Sequence, residues 1–376
     1  MHFTHSVAHP LNREPPPAEL VRAFLTPPAL AYDRNHGPLP HLAGAHTIRV
    51  GGVPGTAALT LADLRALPQH TVTAALQCAG NRRATMRRAR PVSGLDWGDG
   101  AVCNAAWTGP LLADVLAALP PAAAGHVSFD CTLAPVAEAA HYGGSLPLAR
   151  CRDRALRVVL ALAMNGAPLT AAHGFPVRLV APGVAGARWT KWLDAIRVHP
   201  AEAAGFFMAR DYKILPPHVT DKAAAELWWD RVPAIVGLPI NSVVAYPAAG
   251  AGVAARGFEV GGYALPAGDD GPVVAVDVSV DGGATWAPAE IVAGGDADEN
   301  RWAWALWKFQ VPACAARAIT PETKVWSRAR DKGGNVQDGT VPWNWRGVAY
   351  NAYGETTGLR VQEDEEAVVK HHGLRI

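Results

Sequence analysis

No apolar run in this chain reaches the roughly 20 positions that a bilayer-spanning helix needs, so no transmembrane helix is expected. An excess of charge of one sign is missing too. Lys and Arg number 34 against 33 Asp and Glu, which argues against a general nucleic-acid or membrane-surface binder. Cysteine is scarce: Cys78, Cys103, Cys131, Cys151 and Cys314 are irregularly spaced and odd in number, which is not a disulfide framework. No Cys-x-x-Cys-His run offers a haem attachment site, and no second Cys or His stands at zinc-like spacing beside Cys78. The stretch Met1 to Pro10 lacks the charged and apolar regions of a secretory signal, and no twin-arginine signal precedes the domain. The expected location is therefore the cytoplasm, or the periplasm if a leader has been removed. Repeats and low-complexity tracts are absent. The 376 residues are enough for two domains and a large core.

What is present is concentrated at Leu76-Gln77-Cys78-Ala79-Gly80-Asn81-Arg82-Arg83. A lone Cys in an apolar run is by default a small core residue. Arg82 and Arg83, followed by Arg87, Arg88 and Arg90, alter that reading, because Arg stays charged and is rarely buried without a partner. Such a run also suits a solvated helix face, although Gly80-Asn81 is turn chemistry. A thiolate beside fixed positive charge is a nucleophile or a soft metal ligand. A phosphatase-type loop would carry an Arg six positions after the Cys, where Ala84 stands. Hydrolytic Cys/His chemistry needs a partner His in space and stays open. A single protein thiolate also suits a metal whose other ligands come from an organic cofactor.

The octapeptide resembles the metal-binding motif of the sulfite oxidase family of molybdenum enzymes, and the resemblance extends along most of the chain. It implies that Cys78 binds molybdenum and that a pyranopterin dithiolene (molybdopterin) supplies two further sulfurs, with no haem. Upstream, Pro10-Leu11-Asn12-Arg13-Glu14-Pro15-Pro16 and Tyr32-Asp33-Arg34-Asn35-His36-Gly37-Pro38 are similar to the family segment that reaches cofactor and substrate; alone, Asn-His-Gly-Pro reads as a turn. Gly94-Leu95-Asp96-Trp97 is similar to the segment with a substrate-pocket tryptophan, although Trp97 alone reads as core. Val127 to Cys131 and Tyr142 to Leu148 match a cofactor-contacting strand and loop, with Asp130 as a pterin ligand. His173 to Gly183 and Gly186 to Leu193 resemble the pterin and phosphate site.

The cofactor-binding residues implied are Tyr32, Arg34, Asn35, His36, Asp130, His173, Arg178, Arg188, Trp189, Thr190 and Lys191. Arg178, Arg188 and Lys191 can donate to phosphate and ring oxygens unaided by any resemblance. Arg210-Asp211-Tyr212-Lys213 and Val341 to Val348 match the segments of an active-site tyrosine and a substrate arginine. The catalytic set implied is Arg34, Arg83, Tyr212, Arg346, Trp97 and Lys191. A cluster of Arg34, Arg83, Lys191 and Arg346 is costly unless an anion or carboxylates fill it, which favours a binding site for a small dianion. Asp33 stands before Arg34 where relatives carry other residues.

The texture predicts an α+β chain. A mixed α/β cofactor domain over residues 1–236 precedes an all-β, immunoglobulin-like sandwich over 237–376, which the resemblance makes a homodimer interface. Leu111 to Leu119 reads as a helix stopped by Pro120-Pro121, and Val158 to Ala163 as a buried strand or helix. Val273 to Val280 alternates before the turn Asp281-Gly282-Gly283. Lys324 to Ala329 reads as a further strand, and the Trp302 to Trp307 run as sheet packing rather than an aromatic cage. Glu363 to Glu366 is expected to be exposed. The implied function is oxidation of sulfite to sulfate, with electrons passed to oxygen, a c-type cytochrome or another carrier. Nitrate or sulfoxide reduction is the alternative within the class, and a non-catalytic binding protein the alternative outside it.

Overall fold

The computed structural model describes residues 4–42, 46–51, 56–117 and 125–363. Its first half is built on two sheets. One has the strand order Thr56–Thr60, Thr47–Gly51, Ala195–His199, His126–Cys131, Tyr142–Pro147. The last of these strands in the sequence, Ala195–His199, enters the centre of the sheet parallel to Thr47–Gly51 and antiparallel to His126–Cys131. The other sheet is dominated by the antiparallel pair Gln69–Gln77 and Val102–Pro110, in register from Gln69 opposite Pro110 to Gln77 opposite Val102. Valine, threonine and tryptophan at alternating positions suit a pleated, half-buried pair. Gly109 lets a third element lie across it, because a Cβ there would stand 2.0 Å from the Leu160 carbonyl oxygen. One core cluster, including Leu76, Trp97, Trp107, Phe129 and Trp189, fills the space between these sheets.

The second half is a sandwich of two four-stranded sheets. Their orders are Asn241–Tyr246, Gly257–Leu265, Ala305–Pro312, Glu290–Ala293 and Ala287–Pro288, Val273–Ser279, Val325–Asp331, Gly354–Thr356. Val260, Val276, Val278, Trp307, Val311 and Val325 meet between them, as alternating inward residues of packed sheets must. The expected turn at Asp281-Gly282-Gly283 follows Val273–Ser279, and both glycines take positive φ, +70° and +93°, which suits residues without a Cβ. The strand Val159–Ala161 is buried throughout. The helix expected from Leu111 is Leu112–Leu116; Ala118, Leu119, Pro120 and Pro121 lie outside the described residues, as do Asp364 to Glu366 of the acidic tail.

A third core cluster joins the halves. Leu20, Val21 and Val102 pack with Val243, Tyr263, Leu265, Trp304 and Leu306. The tryptophan run is sheet-associated as expected, but its strand starts only at Ala305. Trp302 instead bridges Ala74 of the first half, with the Ala75 N–H donating to its carbonyl at 2.8 Å. Among the described residues no helix is long and apolar enough to cross a membrane.

Candidate active site

The strand Gln69–Gln77 delivers Cys78 one residue beyond its end. The ladder continues for one more bond, Cys78 N–H to Ala101 O at 3.0 Å, and the chain then turns with Asn81 N–H donating to Cys78 O at 3.0 Å. Asn81 fastens the turn: its carbonyl oxygen accepts from Ala101 N–H at 3.1 Å and its amide donates to the Tyr263 hydroxyl at 3.0 Å. Gly80 leaves room for Arg83, whose guanidinium would lie 2.4 Å from a Cβ there. The Gly80 N–H points at Cys78 Sγ, 3.4 Å away. Arg83–Ala89 is a helix. The two readings of the arginine run therefore both hold: a turn first, then a helix with Arg87 and Arg88 solvated and Arg82 and Arg83 buried.

Cys78 lies on the wall of a cleft. Tyr32, Arg34, Asn35, His36, His173, Arg178, Trp189, Lys191 and Tyr212 share that wall, so ten of the sequence-derived site residues come together. Asn12 holds the loop that carries three of them. Its carbonyl oxygen accepts from Asn35 N–H at 2.9 Å and from Arg34 Nη1 at 3.3 Å. Lys191 Nζ ties the opposite wall to this loop, donating to Arg34 O at 3.2 Å, to Ala172 O at 2.9 Å and to Asn35 Oδ1. Arg178 donates to His173 O and Trp189 O, both at 3.1 Å. Tyr212 follows a single π-helical turn, Phe207–Asp211, a local irregularity frequent at functional sites.

Six predicted residues lie elsewhere. Arg83 sits behind Cys78, its guanidinium donating to Arg346 O at 3.0 Å and Leu95 O at 2.8 Å. Arg346 is held by Asp211 and by Ser93 Oγ at 3.3 Å; with Arg83, Arg34 and Cys78 it forms one electrostatic neighbourhood. Trp97 is fully buried in the core cluster that contains Cys78, not on the cleft wall. Arg188 is spent on carbonyls, donating to Ile235 O at 2.9 Å and Phe207 O at 2.6 Å. Thr190 donates to Phe129 O at 3.1 Å and is buried. Asp130 needs the clearest correction. It lines a neighbouring pocket, where Arg197 at 3.1 Å and His141 at 3.4 Å take its carboxylate. Strand alternation sends its side chain away from the cleft, because residues along a strand point to opposite faces. Tyr142, Asp211 and Glu138 were not singled out; the first two stood inside quoted motifs, whereas nothing local marks Glu138.

Asp33, whose effect the sequence left open, pairs with Arg13 and faces His173 Nε2 from 3.6 Å. Burial pushes His173 down to about 4, against the opposing pull of Asp33. Burial also pushes Lys191 down to about 7, helped by Arg178 and Arg34, and Arg178 down to about 10. Burial raises the Cys78 thiol, against Arg83, Arg34 and the Gly80 N–H. The cations are thus held where their charged forms are costly without an anion.

Two family profiles match the chain. The oxidoreductase molybdopterin binding domain matches residues 36–207, and the Mo-co oxidoreductase dimerisation domain residues 232–357. Sulfite oxidase of Gallus gallus is 43% identical over 358 residues, covering 92% of this chain and 75% of that protein. The chain belongs to the sulfite oxidase family. Sulfite oxidase of Arabidopsis thaliana is 36% identical over 360 residues, covering 90% of this chain and 89% of that protein. Mitochondrial sulfite oxidase of Mus musculus is 42% identical over 360 residues, and this chain spans 63% of its length. The sulfane dehydrogenase SoxCD from Paracoccus pantotrophus shares the fold, with a TM-score of 0.74 at 21% identity over 95% of this chain and 89% of that one.

The chain therefore carries an oxidoreductase molybdopterin-binding domain of mixed α/β build, followed by a β-sandwich dimerisation domain. The cleft fits that cofactor on its own chemistry. Among the described residues its wall carries Arg34, Arg178 and Lys191 and no carboxylate, which suits a phosphate-bearing, anionic ligand. Among the described residues Arg178 Nε is buried with no hydrogen-bond partner, and His173 Nε2 has only the Asp33 carboxylate 3.6 Å away, beyond hydrogen-bonding reach, as donors awaiting a ligand would be. Cys78 is the thiol on that wall that the turn orients.

Proposed function

We propose that the enzyme oxidises sulfite to sulfate by oxygen-atom transfer, works as a homodimer and passes its electrons to an external acceptor such as oxygen or a c-type cytochrome. The observation that supports this most directly is the union of an anion-hungry cleft with Cys78, Tyr212 and the Arg83–Arg346 pair behind it. When bound, the molybdenum–pyranopterin group supplies the oxygen-transfer and two-electron chemistry. Cys78 offers its thiolate to the metal. Arg34, Asn35, His36, His173, Arg178 and Lys191 hold the pterin and its phosphate. Arg34, Arg83 and Arg346 attract and orient the sulfite dianion, and the Tyr212 hydroxyl helps to position it. Donors fixed in advance around a buried anion stabilise the charge that moves during transfer, the usual electrostatic source of catalysis. Burial holds the Tyr212 phenol well above its ordinary pKa, so it stays a donor at neutral pH.

The deciding experiment is metal analysis of protein made in a cofactor-competent host, with a sulfite-driven ferricyanide reduction assay. Near-stoichiometric molybdenum with turnover is expected, and Cys78→Ser is expected to abolish that turnover. Undiminished sulfite oxidation by Cys78→Ser would sink the assignment. Molybdenum without sulfite turnover would favour reduction of another oxyanion, as the name of a relative 33% identical over 361 residues suggests, the NADH nitrate reductase of Ulva prolifera.

A further inference from the structure

Oxidation of sulfite by water to sulfate releases two protons along with the two electrons taken by the acceptor. Those protons arise in a cleft whose lining, among the described residues, includes no carboxylate, and the lining His36 and His173 are pushed down by burial. A proton acceptor must therefore lie beyond the wall.

We infer that Tyr212, His36 and Glu138 form a proton exit line from the cleft to solvent, with Glu138 as its outer end. The inference rests on the proposed sulfite chemistry. The Tyr212 hydroxyl is 2.7 Å from His36 Nε2. On the other side of the same ring, His36 Nδ1 is 3.2 Å from Glu138 Oε1. The ring is buried, its side chain 5% exposed, whereas the Glu138 side chain is 37% exposed. Three groups thus span the distance from a buried hydroxyl to bulk water with no gap beyond hydrogen-bonding reach. Phe207, edge-on at 4.6 Å, and Tyr142 at 5.4 Å pack against the imidazole.

His36 Nδ1 has two suitors of opposite kind. Glu138 accepts there, and Arg34 Nη2, 3.3 Å away, can only donate. With a proton on Nδ1, the ring donates to Glu138 and its bare Nε2 accepts from Tyr212. A proton reaching Tyr212 from the cleft displaces the phenol's own proton onto Nε2. The resulting imidazolium gives its Nδ1 proton to Glu138, which releases it to water. Nδ1, now bare, accepts from Arg34, and Tyr212 ends with as many protons as it began; the ring is left as the Nε2–H tautomer, so each passage carries one proton and the ring must regain its Nδ1–H form before the next. Both states of the ring are hydrogen-bonded, so neither leaves a buried nitrogen without a partner.

The charges facing the ring favour this direction. They are Arg34 from its own segment, Glu138 from the loop after His126–Cys131 and Asp211 from the π-helical turn, with the titratable phenols of Tyr142 and Tyr212 beside them. Burial and Arg34 push the imidazole down while Glu138 and Asp211 pull it up. The ring is therefore neutral at rest, as an acceptor must be. Hydrogen bonding to His36 lowers the Glu138 carboxyl, so its outer end is ionised and ready.

Glu138→Gln keeps the shape and removes the acceptor. In the molybdenum-loaded enzyme, kcat for sulfite at pH 7 is expected to fall about tenfold or more, less than the roughly 100-fold minimum typical of a group that acts on the reacting atoms themselves. KM should be unchanged. Imidazole added as a mobile buffer should restore the rate in proportion to its concentration. The ¹⁵N spectrum of histidine-labelled protein, with His36 assigned by its loss in His36→Gln, should move from the Nδ1–H to the Nε2–H tautomer. An unchanged kcat, or a fall without buffer rescue, overturns the inference. If the wild-type enzyme does not oxidise sulfite, the functional reading fails on its own. The line is then judged by the ¹⁵N spectra alone: a tautomer switch in Glu138→Gln keeps it, and no switch overturns it.

Discussion

Glu14 is a carboxyl in a place that suits its neutral form. It is buried, with Oε1 accepting from Gly98 N–H at 2.6 Å and Oε2 left without a partner. Burial pushes it up to about 7, aided by nearby Asp99 and opposed by the Gly98 and Gly100 N–H groups. A folded-state value above the ordinary 4.5 means that the native protein holds a proton the unfolded chain has released. Its contribution to stability is therefore full below pH 4.5 and is lost as pH rises through about 7. Glu14→Gln mimics the protonated acid and removes that loss. The variant should exceed the wild type by about 1–3 kcal/mol at pH 8, the partly screened worth of such a shift, and match it near pH 4. Urea unfolding at the two pH values measures this, and parallel pH dependences for the two proteins would refute it.

At the scale of elements, the substrate site depends on two segments far apart in sequence. The π-helical turn Phe207–Asp211 brings Asp211 against Arg346, and the same turn ends at Tyr212. Asp211 holds the arginine, so an oxyanion that binds there competes with a carboxylate for it. Arg346→Met should raise the KM for sulfite about 10–100-fold, the worth of one charged hydrogen bond, with a smaller change in kcat. It also leaves Asp211 as an uncompensated negative charge beside the anion. Adding Asp211→Asn should therefore recover part of the loss, and steady-state kinetics of the double variant read that coupling. If the second substitution gives no recovery, Asp211 does not face the substrate. Such pairings explain what the sequence could and could not disclose. Val273–Ser279 and its glycine turn were legible because pleat and turn chemistry are local. Cys78 and its wall were legible because the motifs carry their own residues. Asp130 was misplaced because its partner Arg197 lies on a strand that pairs across the sheet, and a residue's face is set by register. Glu138 was invisible because its meaning comes from His36, 102 positions away.

At the scale of the molecule, the motif that orients Cys78 also clamps the two halves. Arg82 adopts the left-handed backbone, φ +67°, a region that costs a residue with a Cβ roughly 1–2 kcal/mol. Glycine would avoid that cost, so the side chain must compensate. Its Nη1 donates to Asn241 Oδ1 at 2.7 Å and to Ala352 O at 2.6 Å, and its Nη2 to Tyr353 O at 2.8 Å. All of these acceptors belong to the sandwich half, while the backbone of Arg82 donates to Gly98 O in the cofactor half at 2.7 Å. The Tyr350 ring, 4.9 Å from the guanidinium carbon, covers one face. Lysine keeps the charge but not the planar fork, and it keeps the backbone cost. Arg82→Lys should therefore leave buried acceptors bare and destabilise the protein by about 2–4 kcal/mol. The loss should not be spread evenly. Hydrogen exchange should speed up in Asn241–Tyr246, next to the broken clamp, and in the Cys78 turn, while Val273–Ser279 on the far sheet keeps its protection. Uniform loss of protection across both halves would mean that the apolar seam of Leu20, Val102, Tyr263 and Trp304 couples them without the arginine. Local loss would mean that the residue following the motif's Asn81 makes the geometry of Cys78 depend on how the dimerisation domain is docked.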